Sequence, residues 1–561
     1  MKFNLYIRQK RIALFFMALF CLTSQAQVIF SNHNQLPPKH EVRAVWLTTI
    51  GGLDWPHSYS QSARSAEKQK QELRTILDQL QQAGINTVLL QTRVRATTIY
   101  PSSIEPWDGC LSGIPGKSPG YDALAFAIDE CHKRGMELHA WVVTMPVGKW
   151  NGPGCTELRR KQPHMLKRIG QEGYMNPESP LTAPYLARMC AEITRNYDID
   201  GIHLDYIRYP ETWTIKVSRQ QGRAYITNIV KQVHDAVKQL KPWVKMSCSP
   251  IGKHDDLSRY WSHGWNAYTK VCQEAQNWLR DGLMDELFPM MYFRDNNFFP
   301  FAIDWKEQSH GKIVVPGLGI YFMHPKGKNW PLESITREME VCRQYGMGHA
   351  FFRSKFFTDN VKGIYHFTER FNRHPALIPA MTWQHNECPE APANLLNGTT
   401  AETTTLSWLA PANCSGAPYL LYNIYASRQY PVDIRDARNL IAVRTITTSH
   451  TMKTVEGMHY AVTAMDRYGN ESVALQEKEM PTTSPSAHWL RHDGKSITLP
   501  AWAQTADAEF AVIESITGCI VSSQKWGMKL NISSLPGGVY SIKSVNRKGV
   551  THHLGHFIIK R

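Results

Sequence analysis

The sequence predicts an α/β fold, a (β/α)8 TIM barrel over residues 39–375, followed by two small all-β sandwich domains at 390–483 and 486–561. Three observations point there. Strand-like and helix-like stretches alternate eight times before residue 375. No Gly-x-Gly-x-x-Gly follows the first strand, as an open dinucleotide-binding sheet requires. Near Pro375 the helical periodicity stops, Pro, Thr and Asn rise, and short alternating runs take over.

The first strand is read at 41–49. Residues 65–83 form an amphipathic helix with Leu73, Ile76, Leu77 and Leu80 on one stripe, and Gly84 closes it. The second strand follows at 86–95. A helix over 121–134, ended by Gly135, leads to the third strand at 136–144. The helix at 183–197 runs directly into Asp198-Ile199-Asp200-Gly201-Ile202-His203-Leu204-Asp205-Tyr206-Ile207-Arg208-Tyr209-Pro210, the stretch that organises the chain. In it Ile202 and Leu204 share one face at period 2, Gly201, His203 and Asp205 share the other, and Pro210 ends the ladder. Helices at 220–240, 265–280, 301–308 and 332–345 then precede strands at 244–250, 286–293, 312–321 and 349–352, and 361–371 is the last helix.

At the amino terminus Lys2, Arg8, Lys10 and Arg11 stand ahead of the apolar run 12–22 and of Ser24-Gln25-Ala26. That order reads as a secretory signal over residues 1–26, cleaved after Ala26, and no other stretch is apolar enough to span a bilayer. The expected location is therefore the periplasm, the cell surface or the exterior. Eleven cysteines without paired spacing suggest mostly buried thiols with one or two bridges. The formal charge of +15 is spread along the chain, which excludes nucleic acid as the main partner and suits an acidic glycan or an anionic envelope surface. With no C-x-x-C or H-E-x-x-H, neither a metal nor a cofactor is expected.

Active sites of such barrels lie at the carboxyl ends of the strands. Gln91, Arg93 and Arg95 share a face of the second strand there, His139 and Trp141 of the third, and His203 and Asp205 of the fourth, while Tyr292 and Tyr321 follow the sixth and seventh. Arg43 and Trp46 on the first strand and Tyr206 and Arg208 after the fourth complete the expected substrate-binding set. Sugar faces stack on aromatic rings and sugar hydroxyls seek charged partners, so this mixture fits a glycan cleft.

Four blocks in order carry a resemblance: Glu41-Val42-Arg43-Ala44-Val45-Trp46; Gln91-Thr92-Arg93-Val94-Arg95 with Ile99-Tyr100-Pro101-Ser102-Ser103-Ile104-Glu105-Pro106-Trp107; His139-Ala140-Trp141; and 200–210. Together they resemble the glycosyl-hydrolase-10-like family, which includes a bacterial peptidoglycan glycosidase acting on glycan strands stripped of stem peptides. The resemblance implies a (β/α)8 barrel and hydrolysis of glycosidic bonds, with glycan, peptidoglycan being the first candidate, as partner. Two departures are Met in Phe288-Pro289-Met290-Met291-Tyr292, where Gln is frequent, and Thr97-Thr98 in place of an acid. Trp408 and Tyr460 resemble core positions of a fibronectin type III module, and the ending after Leu530 resembles a type IX secretion sorting domain.

Glycoside hydrolysis commonly needs one protonated and one ionised carboxyl. Asp205 is expected as the ionised partner, with Glu105 and then Asp256 as proton donor. The alternative is a catalytically impaired glycan-binding or envelope scaffold protein, motivated by the missing acid at Thr97-Thr98.

Overall fold

The β-branched and leucine-rich runs align as one parallel sheet in the computed structural model, which describes residues 36–260, 264–412, 416–476, 489–500, 508–515, 519–547 and 551–560. The fold is mixed α/β. We number the strands of this sheet β1 (Arg43–Leu47), β2 (Thr87–Arg93), β3 (Glu137–Val143), β4 (Gly201–Asp205), β5 (Lys245–Cys248), β6 (Glu286–Leu287), β7 (Ile313–Val314), β8 (Gly317–Leu318) and β9 (His349–Phe351). They lie in the order β7-β6-β5-β4-β3-β2-β1-β9-β8. Strands β7 and β8 are two halves of one short stretch: Ile313 and Val314 pair with Glu286 and Leu287 on one side, and Gly317 and Leu318 pair with Ala350 and Phe351 on the other.

Alternation along each strand makes two separate cores. One face, with Val45, Val88, Leu138, Ala140, Ile202 and Leu204, packs on helix residues such as Leu73, Leu77, Ile193, Ile229 and Val233. The other face carries Ala44, Trp46, Leu89, Trp141, Phe288, Val315 and Ala350, which pack on one another. Strands β1 and β6 are five steps apart, about 24 Å in a flat sheet at the usual spacing. Yet the rings of Trp46 and Phe288 are 6.0 Å apart. The sheet therefore curls until its inner faces meet.

Helices form close to where periodicity places them, among them Ala63–Gln82, Ala123–Lys133, Thr182–Asn196 and Arg219–Leu240. Gly84 follows the first at φ +72, and a Cβ there would stand 2.7 Å from the Cβ of Asn372. The single helix read at 265–280 is instead two, Ala267–Lys270 and Ala275–Arg280. The break frees Gln273, whose buried amide accepts from Ile251 N (3.1 Å) and donates to Ile207 O (3.2 Å), tying together the loops after β5 and β4. After β3 comes an insertion without counterpart in the sequence reading: a three-stranded antiparallel sheet of Pro146–Lys149, Leu166–Ile169 and Glu172–Met175 with the helix Pro153–Lys161.

The chain divides into two compact units, 1–477 and 478–561. The first includes an antiparallel sandwich with sheets of three strands (Ala393–Thr399, Thr403–Leu409, Ser449–Lys453) and four (Leu421–Ser427, Leu440–Thr445, His459–Met465, Leu475–Gln476). Leu406 and Trp408 of one sheet share a core with Ile424, Tyr460 and Val462 of the other. This sandwich is bonded to the amino ends of the parallel strands. Arg444 donates to Glu137 Oε1 (2.9 Å) and Asp200 Oδ1 (2.7 Å), and Arg467 to Asp198 Oδ1 (2.8 Å) and Asp200 Oδ1 (3.2 Å). The second unit has a four-stranded antiparallel sheet and a two-stranded one around Ile497, Ile513, Leu530, Ile542 and Phe557.

The nine cysteines among the described residues are free thiols, so the bridges anticipated from the sequence are not found among them. The signal read at 1–26 lies outside the described residues, among which no helix is long and apolar enough to cross a membrane.

Candidate active site

Strand β4 alternates Gly201, His203 and Asp205 toward the inner face, and each meets a different layer. At the amino end Gly201 leaves room for His139, whose Cγ would lie 2.7 Å from a Cβ at that position. His139 Nε2 is 3.0 Å from Glu137 Oε2, and Lys245 donates to Glu137 Oε1 at 2.7 Å. One layer up, Trp46 Nε1 donates to His203 Nε2 (3.3 Å), and His203 Nδ1 is 3.0 Å from Ser247 Oγ. Because Nε2 accepts, the ring proton belongs on Nδ1, where it is donated to the serine. Burial, helped by His139, lowers the His203 pKa well below the usual imidazole range and keeps the ring neutral.

Asp205 ends the strand at the carboxyl edge. Its Oδ1 accepts from Tyr206 N (2.8 Å) and Ser249 Oγ (2.7 Å), and its Oδ2 from Trp141 Nε1 (3.1 Å). Burial raises its pKa above the usual carboxylate range, against the positive charge of Arg208 and these three donors. Burial thus favours a proton on Asp205, while Arg208 and the three donors favour the ionised form expected from the sequence. Tyr206 follows at φ +54, a left-handed conformation that a tyrosine adopts only under constraint. That turn brings Arg208 back, with its N donating to Tyr206 O (2.8 Å) and its guanidinium 4.1 Å from the Tyr206 ring centre. Arg208 is 2% exposed. Its Nη2 donates to Glu211 (2.7 Å), while Nε and Nη1 have no hydrogen-bond partner among the described residues. Buried guanidinium N–H groups are rarely left unmet, so these two suit ligand oxygens.

Facing them is an aromatic wall: Tyr292 is 5.6 Å and perpendicular to Tyr321, and 5.4 Å from Phe352. Burial and the nearby Asp205 raise the Tyr292 hydroxyl well above its usual range, so it stays protonated. Beside Tyr292 opens a cleft of about 450 Å3 lined by Phe293, Arg294, Asp295, Lys328 and Trp330 as well. Among the described residues no three His, Cys, Asp or Glu side chains cluster as a metal site would.

The structure thus brings Trp46, Trp141, His203, Asp205, Tyr206, Arg208, Tyr292 and Tyr321 into one neighbourhood. Others in the sequence reading go elsewhere. The pairing of β2 with β3 shifts register between Gln91 and Arg93. A one-residue slip exchanges the faces of a strand. Arg93 consequently points to the opposite face, donating to Thr144 O (3.0 Å) past the end of β3 and forming a fully buried pair with Glu105 (Nε to Oε2 2.8 Å, Nη2 to Oε1 2.6 Å) that also takes the Tyr185 hydroxyl at 2.9 Å. Glu105, first choice for proton donor, has both oxygens held there. Gln91 accepts from Thr49 N and Ile50 N, fixing the loop after β1. Arg43 sits at the amino end of β1, not the carboxyl end, bonded to Glu41 (2.6 Å) and His374 O (2.7 Å). His139 lies two residues too deep to reach the rim. Arg95 is exposed against Gly148, and Asp256 is exposed on the loop after β5. The sequence reading missed Ser247 and Ser249, although Lys245, Ser247 and Ser249 recur at the period 2 that marks an inner face.

The glycosyl hydrolase-like 10 family model matches residues 41–323, which contain every residue of this neighbourhood and its cleft except Lys328, Trp330 and Phe352. The chain belongs to the glycosyl hydrolase-like 10 family. Glycosyl hydrolase YngK of Bacillus subtilis (strain 168) is 28% identical over 516 residues, 83% of this chain and 98% of that protein. Glycosyl hydrolase DigH of Escherichia coli (strain K12) is 30% identical over 288 residues, 45% of this chain and 65% of DigH. Among solved structures, the glycoside hydrolase domain of PgaB (BpsB) from Bordetella bronchiseptica overlays with a TM-score of 0.41 at 12% identity, over 59% of this chain and 98% of that one.

Proposed function

We propose that this chain is an exported glycoside hydrolase that cleaves peptidoglycan-like or other amino-sugar or acidic glycan chains, with Asp205 as its catalytic carboxyl. The observation that carries the reading is Asp205 itself: a buried carboxyl at a strand end, proton-holding in tendency, beside a guanidinium with two unmet N–H groups and a wall of tyrosines. The two-sided pairing of residues 313–318 supports a closed (β/α)8 barrel whose rim is this site. Trp141 and Ser249 fix the carboxyl, Arg208 receives hydroxyls or an acidic group of the sugar, and Tyr292 and Tyr321 stack on its apolar faces. The sandwich at 393–476 is a fibronectin type III-like support, and the last unit a secretion sorting domain.

The test is to incubate the signal-free protein with purified peptidoglycan, intact and stripped of stem peptides, and to weigh the products by mass spectrometry. Release of saccharides with new reducing ends supports the hydrolase. Binding without release favours a glycan-binding scaffold, a second reading motivated by the capture of Glu105 by Arg93.

A further inference from the structure

The insertion after β3 gathers positive charge. Residues 146–175 hold six Lys or Arg against two Glu, so cations outnumber the acids that would neutralise them. Glu157 is taken by Arg160 (2.8 Å) and Lys161 (3.2 Å), and Glu172 lies opposite Lys149 across the ladder. The remaining guanidiniums collect around one indole. In the three-stranded sheet Gly173 pairs with Gly148 on one side and with Arg168 on the other, so the three share a face. The two glycines leave space there: a Cβ on Gly148 would stand 3.1 Å from the Arg95 Cβ, and one on Gly173 3.4 Å from Trp150 Cε3. Arg95 and Trp150 therefore fill neighbouring places on that face. The Arg159 guanidinium is 4.1 Å from the Trp150 ring centre and that of Arg168 is 5.9 Å from it. Arg168 donates to Gly170 O (2.9 Å) and Gln171 Oε1 (3.2 Å), Arg159 Nε is buried without a hydrogen-bond partner, and Arg95 is exposed; among the described residues none of the three meets a carboxylate.

We propose that this face, built from Arg95, Trp150, Arg159 and Arg168, is a binding site for the carboxylates of an acidic polysaccharide, separate from the neighbourhood of Asp205. Stacking on Trp150 occupies the flat face of the Arg159 guanidinium and leaves its in-plane N–H groups free. A carboxylate presents two oxygens in one plane to such an edge, and it supplies the acceptor that the buried Nε lacks. The three guanidiniums come from the loop after β2, the helix Pro153–Lys161 and the strand Leu166–Ile169. Charges carried on separate elements suit a polymer with repeated anions better than one small anion. The site also lies on the active side of the sheet. Met175 N donates to Met145 O (2.8 Å), which folds the insertion back onto the carboxyl end of β3, and Lys167 lies 4.2 Å from the ring centre of Trp213 in the loop after β4. A polysaccharide held there is one loop away from Asp205. Its role is to retain the chain, so the proposal stands whether or not Asp205 cuts what is retained.

The full-length protein is titrated calorimetrically with polygalacturonate, with the same polymer fully methyl-esterified, and with dextran sulfate, at low and at physiological salt. Two double variants are compared, each checked by thermal unfolding: Arg95→Gln with Arg168→Gln, both exposed, and Arg64→Gln with Lys68→Gln, which removes the same charge from exposed positions on the helix Ala63–Gln82. Arg159→Lys keeps the charge and removes the planar edge. The expected results are saturable binding of polygalacturonate that weakens about fivefold between the two salts, no binding of the ester, and weaker binding of dextran sulfate. The first double variant should lose about tenfold in affinity and Arg159→Lys about fivefold, against less than about twofold for the second double variant. No binding of polygalacturonate, equal binding of its ester, dextran sulfate bound as tightly or more tightly, unchanged affinity in Arg159→Lys, or equal losses in the two double variants would each overturn the proposal, the last three by marking a general basic surface.

Discussion

Glu286 is a carboxyl placed where charge is unwelcome. It lies on the inner face at β6, 1% exposed, with neither oxygen hydrogen-bonded among the described residues and His139 Nδ1 3.7 Å away. Burial is the main cause that lifts its pKa from 4.5 to about 7. The native state therefore keeps a proton that the unfolded chain releases near 4.5, and stability is lost as pH rises between those two values. At about 1.4 kcal/mol per unit the loss reaches about 3 kcal/mol by pH 7 and grows no further above it. Glu286→Gln imitates the protonated acid and removes this dependence. Relative to wild type, the variant should gain up to about 3 kcal/mol between pH 4.5 and 7 and hold a constant advantage at higher pH. Urea unfolding of both full-length proteins at pH 4.5, 5.5, 6.5 and 7.5 reads the difference. A difference that stays flat across this range, or that opens only above pH 7, would refute the reasoning.

Three further outcomes follow from other contacts. Arg444→Ala leaves Glu137 and Asp200 buried with less charge compensation and should destabilise the first unit by about 3–5 kcal/mol. Against burial, Lys245 and then Arg444 hold Glu137 at about 2, so that loss, measured by denaturation, should be full above pH 4.5 and shrink as the pH falls toward 2. Trp141→Phe removes the donor to Asp205 Oδ2; the acid's pKa should rise, moving upward the limb of the pH–rate profile that its titration sets, with about a tenfold loss in kcat. Gly201→Ala sets a methyl 2.7 Å from the His139 ring and should lower stability by about 1–3 kcal/mol in thermal unfolding.

The strand carrying Asp205 was legible because its alternation of Ile202 and Leu204 with Gly201, His203 and Asp205 is short and unbroken, and its ending at Pro210 marks which residue meets the rim. Trp141, Tyr292 and Tyr321 were found by the same rule. Arg93 was misread because a bulge carries no compositional mark, and one slipped residue sends a guanidinium to the opposite face. Glu105 went with it, since its role depends on where Arg93 points. Arg43 and His139 share a face with site residues but lie at a different depth, which period alone does not encode. The insertion at 146–175 escaped notice because its strands are four residues long and too brief to show alternation. The union of the first sandwich with the sheet floor depends on Arg444 and Arg467, single long-range partners of acids some 240 and more positions away that no local pattern foretells.

The most direct test of the central claim compares wild type with Asp205→Asn on an N-acetylated glycan, counting new reducing ends, with thermal unfolding of both proteins as the control. The variant keeps the side-chain shape and its amide oxygen can still accept from Tyr206 N and Ser249, while its NH2 group no longer accepts from Trp141, so the fold should be kept with a loss of about 1–3 kcal/mol at most. The account predicts steady release by wild type and release at least about a thousandfold slower by the variant. Equal release by the two proteins would contradict it.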